Sequence, residues 1–297
     1  MLSIYKNRFI YMGISVAIIL VGLVFTLVGG FNIDIDFAGG TSIVFNVGQA
    51  TTKDEVAAVA NEALGFSVSA VQPSLDNPNE MTIKTKNLTE AESDKLVKAL
   101  ITKYNLAEDY SDYSISTFTP AYGKQLAGEA LWAVLIAVIL MLVYITIRFE
   151  FLSGLSAVMA LIHDVLIMIS VYAIFRVPVN SSFIAVVLTI LGYSINNTIV
   201  IFDRIRENQK LAKKETFVEI TDKSITQTLG RSINTTITTF VMVAVLYVLG
   251  VESIKEFAFP LIIGVIGGAY SSIFIVSPLW AMMKTAGYNS RVKANQK

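Results

Sequence analysis

One carboxyl group and one imidazole lie side by side in the middle of a long apolar run. Asp164 and His163 occur within residues 152–175, a stretch long enough to span a bilayer. An ionisable side chain at that depth is costly unless it is paired or neutral. Asp164 therefore indicates either a proton-binding site or a structural hydrogen-bond knot between helices. Successive helical residues lie about 100° apart, so adjacency alone does not predict a His163–Asp164 pair.

Two adjacent amides lie in a second apolar run. Residues 181–202 carry no charge, yet the run contains Asn196 and Asn197 and ends at Asp203 and Arg204. Asn197 precedes Asp203 by six residues, which is roughly 9 Å along a helix. Lipid offers no hydrogen-bond partners, so these amides are expected to face other helices or a water-filled path.

A third apolar run opens with many hydroxyl groups. Arg231 and Thr235 are four residues apart and share one helix face. Arg231 could therefore act together with Thr235 on that face. Alternatively, its guanidinium group only extends to the membrane surface. Further along, Gly264, Gly268 and Ser271-Ser272 have the spacing of small residues that lets two helices pack closely.

Composition places these residues in a membrane protein. The chain has 297 residues, 54% of them hydrophobic, and a mean hydropathy of +0.62. Lys and Arg total 23, as do Asp and Glu, so net charge suggests no nucleic acid partner. There is no Cys and one His, so no disulfide and no Cys- or His-cluster metal site is expected. The sequence has no nucleophile–base pair and no nucleotide-binding loop, and it predicts neither an enzyme nor a cofactor.

Hydropathy and charge together predict six membrane-spanning helices. Lys and Arg flank the ends expected in the cytoplasm, including a polar loop at 203–231 and a tail at 284–297. Both termini are therefore predicted to be cytoplasmic, and Arg176 is the one link charge that disagrees. The predicted spans are 9–28, 125–147, 152–175, 181–202, 232–250 and 257–283.

Between the first two spans lies a predicted extracytoplasmic domain, residues 31–123. Alternating apolar residues and two capping boxes, at Thr52–Glu55 and Thr89–Glu92, predict the order βαββαβ of a ferredoxin-like domain. A loop is predicted at 73–79. The many acidic residues form either a solvated face or a contact surface for an emerging polypeptide or a partner's domain. The predicted strands are 41–47, 66–71, 81–86 and 113–118, and the predicted helices are 52–64 and 89–104.

Five motifs, in this order along the chain, resemble the SecF family of the bacterial Sec protein-export machinery. They are Asp36-Phe37-Ala38-Gly39-Gly40-Thr41, Leu161-Ile162-His163-Asp164, the stretch from Gly192-Tyr193-Ser194-Ile195-Asn196-Asn197 to Asp203-Arg204, the Arg231–Thr239 run, and Tyr270-Ser271-Ser272.

The resemblance implies a fold and a function. The fold would be half of a permease of the resistance-nodulation-division (RND) type, with SecD supplying the other half. The function would be to draw exported, unfolded proteins across the bacterial plasma membrane with the proton gradient, after SecA and the SecYEG channel have begun the task. Subunits of the YidC and YajC type are further implied partners.

Asn197 departs from the family motif, which has an Asp there. In the family, protonation of that Asp is thought to drive movement of the extracytoplasmic domains, with Arg231 and Thr235 opposite it. An amide cannot titrate. Three explanations remain open, besides an introduced substitution: Asp164 carries the proton, SecD alone supplies the carboxyl, or the complex is a scaffold without proton coupling.

A different function class is also compatible with the six spans. The chain could be half of an RND-type exporter of small molecules or lipids. Such exporters usually join two six-span halves in one polypeptide and have large extracytoplasmic domains. A single half with a small domain fits that class poorly.

Overall fold

The chain begins with a membrane-spanning helix and a sharp turn. The computed structural model describes residues 3–48, 51–73, 77, 79–106 and 113–294. Helix α1 (Arg8–Gly29) follows a short 3₁₀ turn and matches the predicted first span. A single helical turn, α2 (Ile35–Ala38), then leads into the sheet domain. Gly39 ends this turn with φ +82°, a conformation that favours glycine.

The sheet domain has the predicted βαββαβ order. Its strands form one antiparallel sheet in the order β2-β3-β1-β4, with α3 and α4 packed on it. The buried core includes Ile43, Ile83 and Leu96. The elements are β1 (Gly40–Asn46), α3 (Lys53–Leu64), β2 (Ala70–Pro73), β3 (Glu80–Thr85), α4 (Glu90–Tyr104) and β4 (Tyr113–Phe118).

Both predicted capping boxes are present, at the starts of α3 and α4. The prediction for the second strand was wrong, since β2 begins at Ala70 rather than at residue 66. The Val68 amide instead donates to Asn61 Oδ1 at 2.7 Å, which holds this segment against the end of α3. The predicted loop at 73–79 lies largely outside the described residues.

Five further spans complete the membrane half. In the described part of the chain, six helices are long and apolar enough to cross a membrane, as predicted. The last span is not one continuous α-helix, because a π-helical segment interrupts it. The elements are α5 (Pro120–Arg148), α6 (Phe151–Ile174), α7 (Ser182–Leu211), α8 (Phe217–Leu249), α9 (Glu252–Tyr270), the π turn (Ser271–Val276) and α10 (Ser277–Ala294).

The prediction of a polar loop over residues 203–231 is wrong. Helix α7 continues nine residues past Phe202 to Leu211, and α8 begins at Phe217 with a capping box between Thr216 and Glu219. Hydropathy locates only the apolar part of a helix, whereas charged turns remain helical in water. The pair Arg204–Glu207, three residues apart at 2.6 Å, supports such an exposed turn.

Several polar contacts fasten the sheet domain to the membrane helices. Asp34 pairs with Lys84 of β3 at 2.5 Å, and both side chains are largely buried. The Asp34 amide donates to the Val179 carbonyl in the α6–α7 link. Gln72 of β2 donates to Glu256 of α9 at 2.6 Å. The domain is therefore bound to the α6–α7 link and to α9, and the Asp34–Lys84 pair ties the segment before α2 to the sheet.

Arg176, whose charge disagreed with the predicted topology, has a local structural role. Its guanidinium group donates to the carbonyls of Gly29 and Gly30, at 2.7 and 2.6 Å. These carbonyls lie at the end of α1, where helix groups lack partners within the helix and a positive charge is favourable. The position of Arg176 is therefore explained by α1 rather than by membrane orientation.

Candidate functional site

Asp164 lies among the membrane helices and accepts hydrogen bonds from two elements other than its own helix. Its side chain belongs to α6 and the residue is 2% exposed. Ser194 of α7 donates to Asp164 Oδ2 at 2.5 Å, and Ser271 of the π turn donates to the same oxygen at 2.9 Å. A carboxylate accepts hydrogen bonds on both oxygens, so it can satisfy several donors at once. Asp164 thus joins α6, α7 and the last span.

His163 also contacts Asp164, which corrects the expectation drawn from adjacency. His163 Nδ1 lies 2.9 Å from Asp164 Oδ1, and the imidazole is 12% exposed. The two Cα–Cβ bonds diverge as helix geometry requires, but both side chains are long enough to bend toward each other. His163 Nε2 is buried and has no hydrogen-bond partner among the described residues. One ring nitrogen therefore contacts Asp164, and the other is buried without a partner among the described residues.

Close packing brings the π turn to Asp164. A Cβ atom added at Gly268 of α9 would lie 3.1 Å from Ser194 Cβ, so the glycine allows α9 to approach α7 closely. Ser271 and Ser272 follow within one turn. Both hydroxyls also donate to the Gly268 carbonyl, at 3.2 and 2.8 Å. Such bonds compete with the α-helical ladder and accompany its change to π geometry here.

A second set of hydroxyl groups extends the polar cluster toward Asn197. Thr198 Oγ1 lies 3.0 Å from Ser272 Oγ, and Ser272 donates to the Ser194 carbonyl at 3.1 Å. Ser194, Asn197 and Thr198 share one face of α7 and are each at most 2% exposed. Asn197 Nδ2 has no hydrogen-bond partner in the described part of the chain. A buried amide that lacks a partner is energetically costly.

Asn196, Arg231 and Thr235 lie outside this cluster. Asn196 and Arg231 are exposed on the surface of the described helices. Thr235 donates to the Arg231 carbonyl of its own helix at 2.9 Å. Within the described residues, no hydrogen bond joins Arg231 or Thr235 to Asn197. The partnership implied by the resemblance is thus not formed in this structure.

The remaining motif residues serve local structure. Asp36 Oδ2 accepts a hydrogen bond from the Ser181 amide at 2.9 Å. The Phe37 carbonyl lies so close to Gly123 that a Cβ atom would not fit there. Gly40 begins β1 where Ile35 and the Thr85 carbonyl leave no room for a Cβ, whereas Gly192 is exposed with open space around it. Asp203 pairs with Arg148 at 3.1 Å, and Arg204 donates to Gln227 at 2.7 Å.

Sequence reasoning missed the hydroxyl groups that hold Asp164. Ser194 lies three residues before Asn197, and the spacing of Ser271-Ser272 from the glycines predicts only close helix packing. The sequence did contain one indication of these partners, since the spans around Asp164 carry small hydroxyl residues that could donate to a buried carboxyl. Only the three-dimensional arrangement shows which hydroxyl reaches which helix.

Comparison with known proteins gives consistent matches. Residues 97–286 match the family model described as "Protein export membrane protein SecD/SecF, C-terminal". "Protein translocase subunit SecF" of Petrotoga mobilis is 36% identical, over 92% of this chain and 92% of that one. "Protein translocase subunit SecDF" of Bacillus subtilis is 36% identical, over 94% of this chain and 37% of that one.

A solved structure shares the fold. The crystal structure of SecDF, a translocon-associated membrane protein from Thermus thermophilus, superposes with a TM-score of 0.77 at 30% identity. The match covers 95% of this chain and 38% of the SecDF chain. This chain therefore spans well under half of the SecDF proteins and nearly the full length of the separate SecF relative.

Proposed function

Because the chain belongs to the SecF family, we propose that it works with SecD in the late stages of protein export and that Asp164 is its proton-binding group. The family assignment rests on the near full-length match to a translocase subunit. The chain is an accessory subunit of the Sec translocase, and SecD is its partner. Half of a small-molecule or lipid exporter is not favoured, because the matched relatives are translocase subunits.

The observation that carries the assignment of Asp164 is its position as a buried carboxyl shared by three spans. Asn197, at the position of the family Asp, cannot gain or lose a proton. Asp164 can, and it has an imidazole 2.9 Å away. In the tautomer that carries its proton on Nδ1, His163 can take up a second proton at Nε2, which lacks a partner within the described ranges, and release the Nδ1 proton to Asp164. His163 and Asp164 together form a two-step proton relay.

Protonation of Asp164 would alter how the spans are joined. The ionised carboxylate accepts from both Ser194 and Ser271 on one oxygen. A proton delivered from His163 is placed on Oδ1, and the carboxyl then loses the negative charge that strengthens the hydrogen bonds from Ser194 and Ser271 to Oδ2. Ser271 belongs to the π turn, a geometry that often occurs at functional sites. We infer that the last span shifts when Asp164 takes up a proton.

An exposed polar face on α7 and α8 supports the proposal that SecD packs there. Asn196 on α7 and Arg231, Asn234 and Thr238 on α8 are exposed within apolar spans. Lipid cannot satisfy amide or guanidinium groups. Tyr193 donates to Thr236 at 2.9 Å and holds the two helices together. This face is therefore where the SecD half would pack and supply polar partners.

The proposed location is the bacterial plasma membrane with both termini in the cytoplasm. Lys and Arg concentrate at the helix ends opposite the sheet domain, including Arg148, Arg204, Arg206 and Lys284. The sheet domain then lies on the outer side, where exported chains emerge from SecYEG after SecA has acted. Subunits of the YidC and YajC type complete the proposed partner set.

Complementation and copurification test the assigned function. Cells depleted of their own SecF are supplied with this chain, and export of a secreted protein is followed together with SecD copurification. Restored export and a stable SecD complex are expected. The double change Asn196→Leu with Asn234→Leu should weaken the SecD complex. The control Met242→Leu, at an exposed apolar position of α8, should not. Export that fails although SecD copurifies would contradict the proposal.

A further inference from the structure

An apolar cavity separates one membrane helix from its neighbours on the side of the sheet domain. It has a volume of about 520 Å³ and lies between α5 and the pair α6 and α7. Ala127, Leu131 and Val134 of α5 form one wall, and Val165 and Ile169 of α6 with Val187 of α7 form the other. Its volume is within the range of small-molecule binding sites.

The lining is suited to hydrocarbon rather than to water. Among the fourteen lining residues, Tyr172 alone carries a polar side-chain atom. A water molecule needs two to four polar partners, which this lining does not provide. Left unfilled, the lining side chains would lose their dispersion contacts on one side. An apolar molecule is therefore the occupant that this surface favours.

The depth of the cavity within the membrane indicates that this apolar molecule comes from the bilayer. Lining residues occupy the early turns of α5 and α7 and the later turns of α6, all of which are next to the sheet domain. From Ala127 to Val134 the cavity follows α5 for roughly 10 Å. One leaflet of hydrocarbon is about 15 Å thick. The cavity thus lies at the depth of the acyl chains of a single leaflet.

A lysine stands beyond the end of the cavity on the same helix face. Lys124 precedes Ala127 by three residues and Leu131 by seven, the spacing of one α-helical face. It is exposed, and its flexible stem lets the ammonium group reach the membrane surface. A cation at that height matches a lipid phosphate whose chain extends downward along Ala127, Leu131 and Val134.

From this combination we propose that the cavity binds one acyl chain of a bilayer phospholipid, with the phosphate near Lys124. The bound chain fills the gap between α5 and the α6–α7 pair and supports the position of α5. Helix α5 is the element that follows β4 of the sheet domain directly. The lipid would therefore stabilise the joint between the domain and the membrane half.

Photo-crosslinking in a bilayer tests the site. The full chain, alone and in complex with SecD, is placed in nanodiscs of phosphatidylglycerol that carries a diazirine on one acyl chain. After illumination, labelled peptides are located by mass spectrometry. Saturable labelling concentrated at Leu131, Ile169 and Val187 is expected, and it should persist in the complex. Lys124→Glu should reduce labelling because it places a negative charge beside the phosphate.

Two filling variants and a control make the result decisive. Ala130→Phe and the milder Ala130→Leu place additional side-chain volume in the cavity and should remove the concentrated labelling. Ala17→Phe, on an exposed face of α1, should leave it unchanged. Labelling spread evenly over the exposed faces of α1, α5 and α8 would overturn the proposal. So would labelling that SecD displaces, because the cavity would then be a protein contact.

Discussion

The side chains of Ser271 and Asp164, 107 positions apart in the chain, are joined by a hydrogen bond of 2.9 Å. This bond links the middle of α6 to the π turn of the last span. Ser194 of α7 donates to the same carboxylate oxygen. Three spans thus meet at one titratable group, and in the proposed mechanism its protonation changes how they are held together.

Ser271→Ala is expected to weaken this junction. One buried hydrogen bond to a charged group contributes about 1.5–3 kcal/mol, so the free energy of unfolding should fall by that order. The gradient-driven part of export should fall as well, because the π turn no longer responds to Asp164. Thermal unfolding in nanodiscs and vesicle translocation measure the two effects. Ser277→Ala is the matched control, since Ser277 is buried and donates to the Ser272 carbonyl instead. An equal loss of gradient response in both variants would contradict the assigned role.

Arg176→Ala should destabilise the end of α1. The guanidinium group supplies two hydrogen bonds and a positive charge to that helix end, and such contacts are worth about 0.3–1 kcal/mol. Arg176→Lys should retain part of this stabilisation through its charge. Melting curves of the three proteins provide the comparison. Unchanged melting of Arg176→Ala would show that the contact is not stabilising.

The largely buried Lys84–Asp34 pair should show strong coupling. Lys84→Met leaves a carboxylate without its partner and is expected to cost about 3 kcal/mol. The double change Lys84→Met with Asp34→Asn should cost less than Lys84→Met alone. A double-mutant cycle on the free energy of unfolding measures this difference. Strictly additive effects would mean that the two side chains do not depend on each other.

Acid should weaken the capping boxes of the sheet domain. The Thr89 amide, followed by its hydroxyl, holds the pKa of Glu92 below its ordinary value of 4.5, and Thr51 is the main cause of the same shift at Glu55. A pKa lowered by folding adds stability above pH 4.5 that is lost as pH falls through the lowered value.

Glu92→Gln should therefore be less stable than the parent protein near neutral pH and equal to it well below pH 4. Unfolding followed by circular dichroism across this pH range measures the difference. Glu90→Gln, also in the first turn of α4, is the control, and its difference from the parent should change less with pH. A constant difference between Glu92→Gln and the parent at every pH would refute the capping explanation.

The elements were largely predictable because hydropathy, capping boxes and glycines are local signals. The six spans, both capping boxes and β4 follow from residues that lie close together in the chain. Where a charged segment stayed helical, as at the end of α7, hydropathy alone placed the boundary too early. Arg176 was misleading because its partners, the carbonyls of Gly29 and Gly30, lie far away in sequence.

The candidate site was only partly predictable. Asp164 stood out because a carboxyl in an apolar span is costly. Its partners could not be identified, since the contacts depend on how closely α9 approaches α7 at Gly268 and on the π turn that follows. The His163–Asp164 contact was missed because helix periodicity describes where side chains start and not where their ends lie.

The most direct test of the central claim is proton-driven translocation with Asp164 altered. Vesicles contain this protein, the translocon and a SecD whose own intramembrane acid has been neutralised. Completion of a trapped export intermediate is followed with and without an imposed proton gradient. We expect the gradient to accelerate completion with the parent protein and with Asp203→Asn, the exposed control, but not with Asp164→Asn. A gradient effect that survives Asp164→Asn, or one that is absent from the parent protein, would contradict the assignment of Asp164 as the proton-binding group.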